Sequence, residues 1–174
     1  MRIRHLVTGA ALASLLAAAP ALAATTATAQ MKGGDGKDMG VVTVTEAPHG
    51  VVLKLELKGL TPGWHAAHFH EKGDCGTPDF KSAGAHVHTT AQIVHGLLNP
   101  DANDNGDLPN IFANADGAAT AEIYSTLVSL KGAGGRPALL DADGSALVVH
   151  ANPDDHMTQP IGGAGARVSC GVIK

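Results

Sequence analysis

Ten histidines stand against two cysteines in this chain of 174 residues, and six of the ten fall between residues 65 and 95. Neutral imidazole suits zinc, copper, nickel and iron ions, so this crowding points to metal ligation. His68 and His70 are two residues apart. On a strand they share a face, and both rings can reach one ion. His86 and His95 lie in a stretch rich in turn formers, with Asp107 beyond them, and His150 closes the apolar run Ala146-Leu147-Val148-Val149. Each histidine alone reads as a hydrogen-bonded surface residue; it is their number, in a chain with few other reactive groups, that favours a metal site. A Cys2His2 zinc site is not suggested, because neither Cys75 nor Cys170 belongs to a C-x-x-C pair. The two cysteines form one disulfide in an oxidising compartment, or are two free thiols.

Composition removes other classes. Only 3% of residues are aromatic and the formal net charge is −4. That leaves neither stacking platforms nor a basic surface for nucleic acid.

The elements that must carry these residues read as all-β. Val41 to Glu46 and the alternating Val51 to Leu57 are strands, the second stopped by Gly59 and Pro62. His65 to His70 reads as a third strand, Ala119 to Leu130 as a fourth and Val168 to Ile173 as the last. Ala138 to Leu140 and Ala146 to His150 flank Asp141-Ala142-Asp143-Gly144, a hairpin-type turn signal. Residues 71–117 read as a long loop, which a compact domain tolerates when the loop is functional or pinned by bridges or metal. With 22 glycines, nine prolines and no sustained helical period, the architecture is a sandwich or barrel.

The N-terminus reads as an address. Met1 to His5 is short and basic, Leu6 to Leu22 is almost wholly apolar or small, and Ala21-Leu22-Ala23 fits a signal-peptidase site, with Ala27-Thr28-Ala29 as a second. A stable membrane anchor is the weaker reading. The run is at the short end of the roughly 17–25 residues a span needs, and it contains Thr8, Gly9, Ser14 and Pro20. Residues 1–23 are therefore expected to be a signal peptide, 24–39 a flexible leader and 40–174 the domain. Cutting after Ala23 removes Arg2 and Arg4 and takes the formal charge from −4 to −6.

Several ordered segments carry a resemblance. Gly63-Trp64-His65-Ala66-Ala67-His68-Phe69-His70-Glu71 resembles the copper-binding strand of copper/zinc superoxide dismutases, and Gly73-Asp74-Cys75 follows as it does there. Ser82-Ala83-Gly84-Ala85-His86 is similar to the segment holding that family's bridging histidine, and Gly106-Asp107-Leu108-Pro109 to its zinc-aspartate motif. Leu147-Val148-Val149-His150 with Asp154-Asp155, then Gly163 to Ile173, resemble the last copper strand and the C-terminal signature.

The resemblance implies a Greek-key β-sandwich, or flattened eight-stranded barrel, with long metal-binding and electrostatic loops. It implies an exported enzyme, periplasmic or extracellular, that disproportionates superoxide to dioxygen and hydrogen peroxide by cycling a histidine-bound copper. The protein is expected to be a monomer or homodimer with no nucleic-acid partner. Copper would be held by His68, His70, His86 and His150; zinc by His86, His95 and Asp107. His86 and Arg167 would be catalytic, Arg167 guiding the anion. Asp154 would link a copper histidine to a zinc histidine, and Cys75 and Cys170 would be disulfide-bonded. His65 would be a structural hydrogen-bonding histidine. The alternative is a non-enzymatic periplasmic copper-binding or delivery protein on the same fold.

Two departures from the family pattern stand out. Three residues before the zinc aspartate the family usually has a histidine; here it is Asp104. Asp104 is a candidate fourth zinc ligand, since carboxylate oxygen binds zinc. His88 is another candidate, and a weak or empty zinc site a third possibility. Asp104 also reads as a turn residue ahead of Gly106. In addition, the stretch from Ala151 to Ala166 has Asp154 and Asp155 but no lysine, so steering of the anion is expected to rest on Arg167 and the metals.

Overall fold

The computed structural model describes residues 25–174; the expected signal peptide lies outside them. Among the described residues there are nine strands: β1 (Thr26–Gly33), β2 (Asp38–Ala47), β3 (Gly50–Leu57), β4 (Gly63–His65), β5 (Ala67–His70), β6 (Ile111–Ala113), β7 (Ala119–Ser125), β8 (Ala146–His150) and β9 (Arg167–Val172). A single 3-10 turn, Lys81–Ala83, is the one helical element among the described residues. Seven strands form one strongly curled antiparallel sheet in the order β5-β8-β9-β1-β2-β3-β7, while β4 and β6 pair as a two-stranded ribbon.

The expected flexible leader is corrected by β1. Residues Thr26–Gly33 pair with β2 through seven positions and with β9 at their end, in the middle of the sheet. The run alternates exposed and buried, with Ala27, Ala29 and Met31 facing the core. Small Thr/Ala alternation carries the two-residue period of a strand but little hydrophobic contrast, so its composition reads as a linker. Residues Thr26–Gly33 thus belong to the sheet, ahead of Gly40 where the domain was expected to begin.

Three further expectations change. The run His65–His70 is two strands: at Ala66 the chain leaves the ribbon, and Ala66 bonds instead to Asn152 and His150. Ala119 to Leu130 is a strand only to Ser125; Val128 and Leu130 are fully buried, so their apolar pattern reflects a loop that plugs the core. Residues 138–140 form no hairpin with β8. Both edges of β8 are taken, by β5 and β9, and tertiary pairing overrides the local turn signal.

Alternation then places the chemistry. On β5, Ala67 and Phe69 enter the main core with Leu53, Leu147 and Val149, so His68 and His70 face the other way. On β8, Leu147 and Val149 face the main core, while Ala146 and Val148 join Phe80, Ala83 and Cys170 in a second small cluster. His150 continues that second face. The long loop 71–110 folds back over it and pairs with the edge of β5: Phe69 N–H donates to Gly106 O (2.9 Å), Val87 N–H to Phe69 O (2.9 Å) and Glu71 N–H to Ala85 O (2.9 Å). Gly106 is required by this approach, since a Cβ there would lie 2.4 Å from Phe69 O and 2.9 Å from the His86 Cβ.

Candidate metal centre

Four imidazoles meet where β5, β8 and the loop converge. One ring nitrogen each from His68, His70, His86 and His150 lies within 4.8 Å of the others, and all four residues are buried. The His68 and His86 ring centroids are 4.2 Å apart, His70 and His86 5.0 Å, and His68 and His150 5.0 Å.

Each ring is held by its other nitrogen. His70 Nδ1 donates to Gly84 O (3.0 Å), His150 Nδ1 to Gly165 O (3.2 Å) and His68 Nε2 to Asp154 Oδ2 (2.9 Å). His86 Nδ1 lies 2.7 Å from Asp104 Oδ2. The inward nitrogens, His68 Nδ1 and Nε2 of His70, His86 and His150, are buried without any hydrogen-bond partner. Four orphaned acceptors aimed at one point would be costly in a core, and a bound cation satisfies all four. Burial, reinforced by neighbouring charge including Arg167, pushes His70 down to about 2 and His150 down to about 3. Both rings are therefore neutral, the form that ligates metal.

Beside this cluster lies an acidic one. His95 Nδ1 is 2.6 Å from Asp107 Oδ1 and 3.4 Å from Asp104 Oδ2, and His95 Nε2 donates to Asp154 Oδ1 (3.0 Å). Burial opposes protonation of His95, yet its bonds to Asp104, Asp107 and Asp154 raise it to about 11. The imidazolium thus occupies a setting built for positive charge. Burial works against Asp104 and Asp154 as anions, but bonds with His86 and His95 hold the first carboxyl, and bonds with His68 and His95 the second, well below the usual range. His86 Nδ1, His95 Nδ1, Asp104 Oδ2 and Asp107 Oδ1 converge as two nitrogens and two oxygens, a donor set that zinc accepts. A ring nitrogen of His68 also falls within 4.8 Å of ligand atoms of His86, His95 and Asp107, and His68 Nε2 donates to Asp154. His88 turns away: its Nδ1 donates to His86 O (2.7 Å) and lies 3.8 Å from Glu71.

Arg167 spans two carbonyls of the loop, with Nη1 on Phe80 O and Nη2 on Gly84 O, both at 2.7 Å. With His70, His86, His150, Pro160 and Ile161 it lines a cavity of about 160 Å³. Cys75 and Cys170 are disulfide-bonded with Cα atoms 5.7 Å apart, tying this loop to β9. His65 braces the site from below, its ring nitrogens 2.7 Å from the carbonyl oxygens of His150 and Thr61.

Three residues of the site carry no signal in a single sequence. Asn110 accepts from Asp154 N–H and donates to Asp154 O, both at 2.8 Å. His156, with a left-handed φ of 60°, donates its N–H to Asp154 Oδ1 (2.6 Å). Gln159 bonds to the backbone of His95.

Fold and geometry together describe a β-sheet protein with two adjoining side-chain clusters able to hold cations, one of imidazoles and one of mixed nitrogen and oxygen. Residues 39–173 match the family described as copper/zinc superoxide dismutase (SODC). The chain is 89% identical over 148 residues to a protein named superoxide dismutase [Cu-Zn] from Caulobacter vibrioides, with 85% of each chain covered. Among solved structures, a SOD-like protein from Bacillus subtilis matches with a TM-score of 0.76 at 35% identity, covering 83% of this chain and 96% of that one. A Cu/Zn superoxide dismutase from Brucella abortus matches with a TM-score of 0.69 at 32% identity, covering 86% and 100%. The chain belongs to the copper/zinc superoxide dismutase family. It is an oxidoreductase whose substrate is superoxide and whose cofactors are copper and zinc. The non-enzymatic copper-delivery alternative is not favoured.

Proposed function

We propose that His68, through Nδ1, and His70, His86 and His150, through Nε2, hold the copper, and that His86, His95, Asp107 and Asp104 hold the zinc. The observation that carries this reading is the set of four buried, unpartnered imidazole nitrogens aimed at one another. Copper supplies one-electron chemistry there when bound, and zinc a redox-inert charge.

The residues of this chain do the rest. Arg167 docks the anion: its guanidinium is fixed by two carbonyls on one wall of the cavity, so its charge is oriented before substrate arrives. The cavity has room for a small anion beside it. His86 Nε2 is the atom at which a proton can be held and returned to the reduced oxygen, while Nδ1, 2.7 Å from Asp104 Oδ2, would share zinc with that carboxylate and so stay fixed. Asp154 fixes the tautomers of His68 and His95 together, so neither ring can turn without the other's support.

The protein is exported, in this reading, to the periplasm or the exterior, as a monomer or homodimer without a membrane anchor. The disulfide suits an oxidising compartment, and no helix among the described residues is long and apolar enough to cross a membrane. Cleavage follows Ala23, because the second candidate site, Ala27-Thr28-Ala29, lies inside β1. The test is superoxide consumption by copper- and zinc-loaded protein beside His68→Ala. The variant loses activity, whereas equal activity in the two overturns the copper assignment.

A further inference from the structure

Gln159 makes an unusual pair of bonds. Its Oε1 accepts the N–H of His95 at 2.8 Å, and its Nε2 donates to the carbonyl of the same residue at 2.8 Å. One side-chain amide thus satisfies both backbone groups of a single residue, as a neighbouring strand would. That residue is His95, whose ring is fully buried against Asp104, Asp107 and Asp154. The backbone beside it is held in the same way. Gly96 N–H donates to Asp107 Oδ2 at 2.7 Å, and Leu98 N–H donates to His156 O at 3.1 Å.

The partners come from the two ends of the site. Residues 95–98 belong to the long loop, whereas His156 and Gln159 belong to the connection between β8 and β9. Pro160 and Ile161, next in the chain after Gln159, are walls of the cavity that Arg167, His70, His86 and His150 share. A single side chain therefore stands between the backbone of a zinc-site histidine and the wall of the substrate cavity.

We infer that Gln159 is the positioning residue for His95, setting where its ring meets zinc and coupling zinc binding to the order of the cavity wall at residues 160–161. This rests on the reading of His95 as a zinc ligand. The effect is reciprocal by linkage: if the Gln159 clamp favours zinc, zinc favours the clamped wall.

The experiment compares wild type with Gln159→Met, which keeps the volume and removes both bonds, and Gln159→Ala. Zinc is titrated into the full exported protein, already copper-loaded, against a chromogenic chelator. Cobalt(II) is then substituted for zinc as a spectroscopic probe. Both variants are expected to bind zinc roughly tenfold or more weakly, in line with the effect of removing groups that orient a ligand. Their copper affinity is expected to be unchanged and their cobalt visible bands shifted. Hydrogen exchange at residues 157–162 is expected to slow on zinc loading in wild type and not in the variants. Parallel loss of copper and zinc affinity, tracking a lowered melting temperature, would show a merely structural glutamine and overturn the inference. Unchanged zinc affinity in Gln159→Met, with wild type binding zinc normally, overturns it while leaving the metal centre intact. Failure of wild type to bind zinc at all removes the metal-centre reading and this inference with it.

Discussion

His70 and Arg167 donate to the same acceptor. The carbonyl of Gly84 takes His70 Nδ1–H at 3.0 Å and Arg167 Nη2–H at 2.7 Å. The His70 ring and the Arg167 guanidinium are thereby indexed to one atom of the loop. The disulfide from Cys75 to Cys170 and the burial of Phe80 and Ala83 keep that loop against β8 and β9.

The bidentate grip of Arg167 predicts that charge alone will not replace it. Arg167→Lys retains the cation but cannot fork to Phe80 O and Gly84 O. Its kcat/KM is expected to fall, and that of Arg167→Met to fall further, by about tenfold or more given the usual gain from electrostatic capture. Copper content should be unchanged in both. Stopped-flow assays at low and high ionic strength, with metal analysis, check this.

Asp104→Asn tests the carboxylate at the zinc side. Its Oδ2 sits 2.7 Å from His86 Nδ1 and 3.4 Å from His95 Nδ1, where a neutral amide is a poor zinc donor. Zinc content is expected to fall by elemental analysis, and dismutase activity only in part, since His68, His70, His150 and Arg167 are untouched. Unchanged zinc stoichiometry and affinity would make Asp104 a turn residue whose oxygen merely accepts a hydrogen bond.

Gly162 and Gly163 make a matched pair. Both have left-handed φ, 58° and 75°, so alanine at either costs about 1–2 kcal/mol of backbone strain. A Cβ at Gly162 would lie 1.6 Å from Asp154 Oδ1, an atom already bound by His95 Nε2 and His156 N–H, whereas at Gly163 it meets nothing within 4 Å. Gly162→Ala is therefore expected to lose metal affinity about tenfold or more as Asp154 is displaced, while Gly163→Ala shows only a modest drop in melting temperature. Competition titrations and thermal scans of the two variants, side by side, decide the matter.

The metal-free protein is expected to weaken in acid before its carboxylates titrate. His70 and His150, lowered to about 2 and about 3 by burial first, cannot take protons that the unfolded chain accepts below about 6.5. Stability from these two is present above that pH and is lost as pH falls, by roughly 1.4 kcal/mol per unit for each histidine. His95 has the opposite sign: raised to about 11, its contribution is full below about 6.5 and is lost as pH rises toward 11. Denaturant midpoints of metal-free protein between pH 6.5 and 4.5 should fall steeply, and copper loading should flatten the curve.

What could be read from the sequence follows from how each residue is used. His68 and His70 were legible because strand alternation is local, and Asp154 because it sits in a motif resembling a known family's. β1 was not legible, since among its buried positions only Met31 is large, and the burial of Ala27 and Ala29 depends on β2 and β9 lying on either side. The hairpin expected at 141–144 failed for the same kind of reason: the partners of β8 come from distant segments. Gln159 acts through backbone groups of a residue 64 positions away, and a contact of that kind leaves no pattern in one chain.

The most direct test of the two-site assignment is a crystal structure of copper- and zinc-loaded protein with anomalous data at both metal edges. The copper peak is expected at bonding distance, about 2.0–2.2 Å, from His68 Nδ1 and from Nε2 of His70, His86 and His150. The zinc peak is expected on the far side of His86, against its Nδ1, His95 Nδ1, Asp107 Oδ1 and Asp104 Oδ2. Copper placed away from the four histidines, or zinc bound through His88 or water with Asp104 turned out, would contradict the assignment.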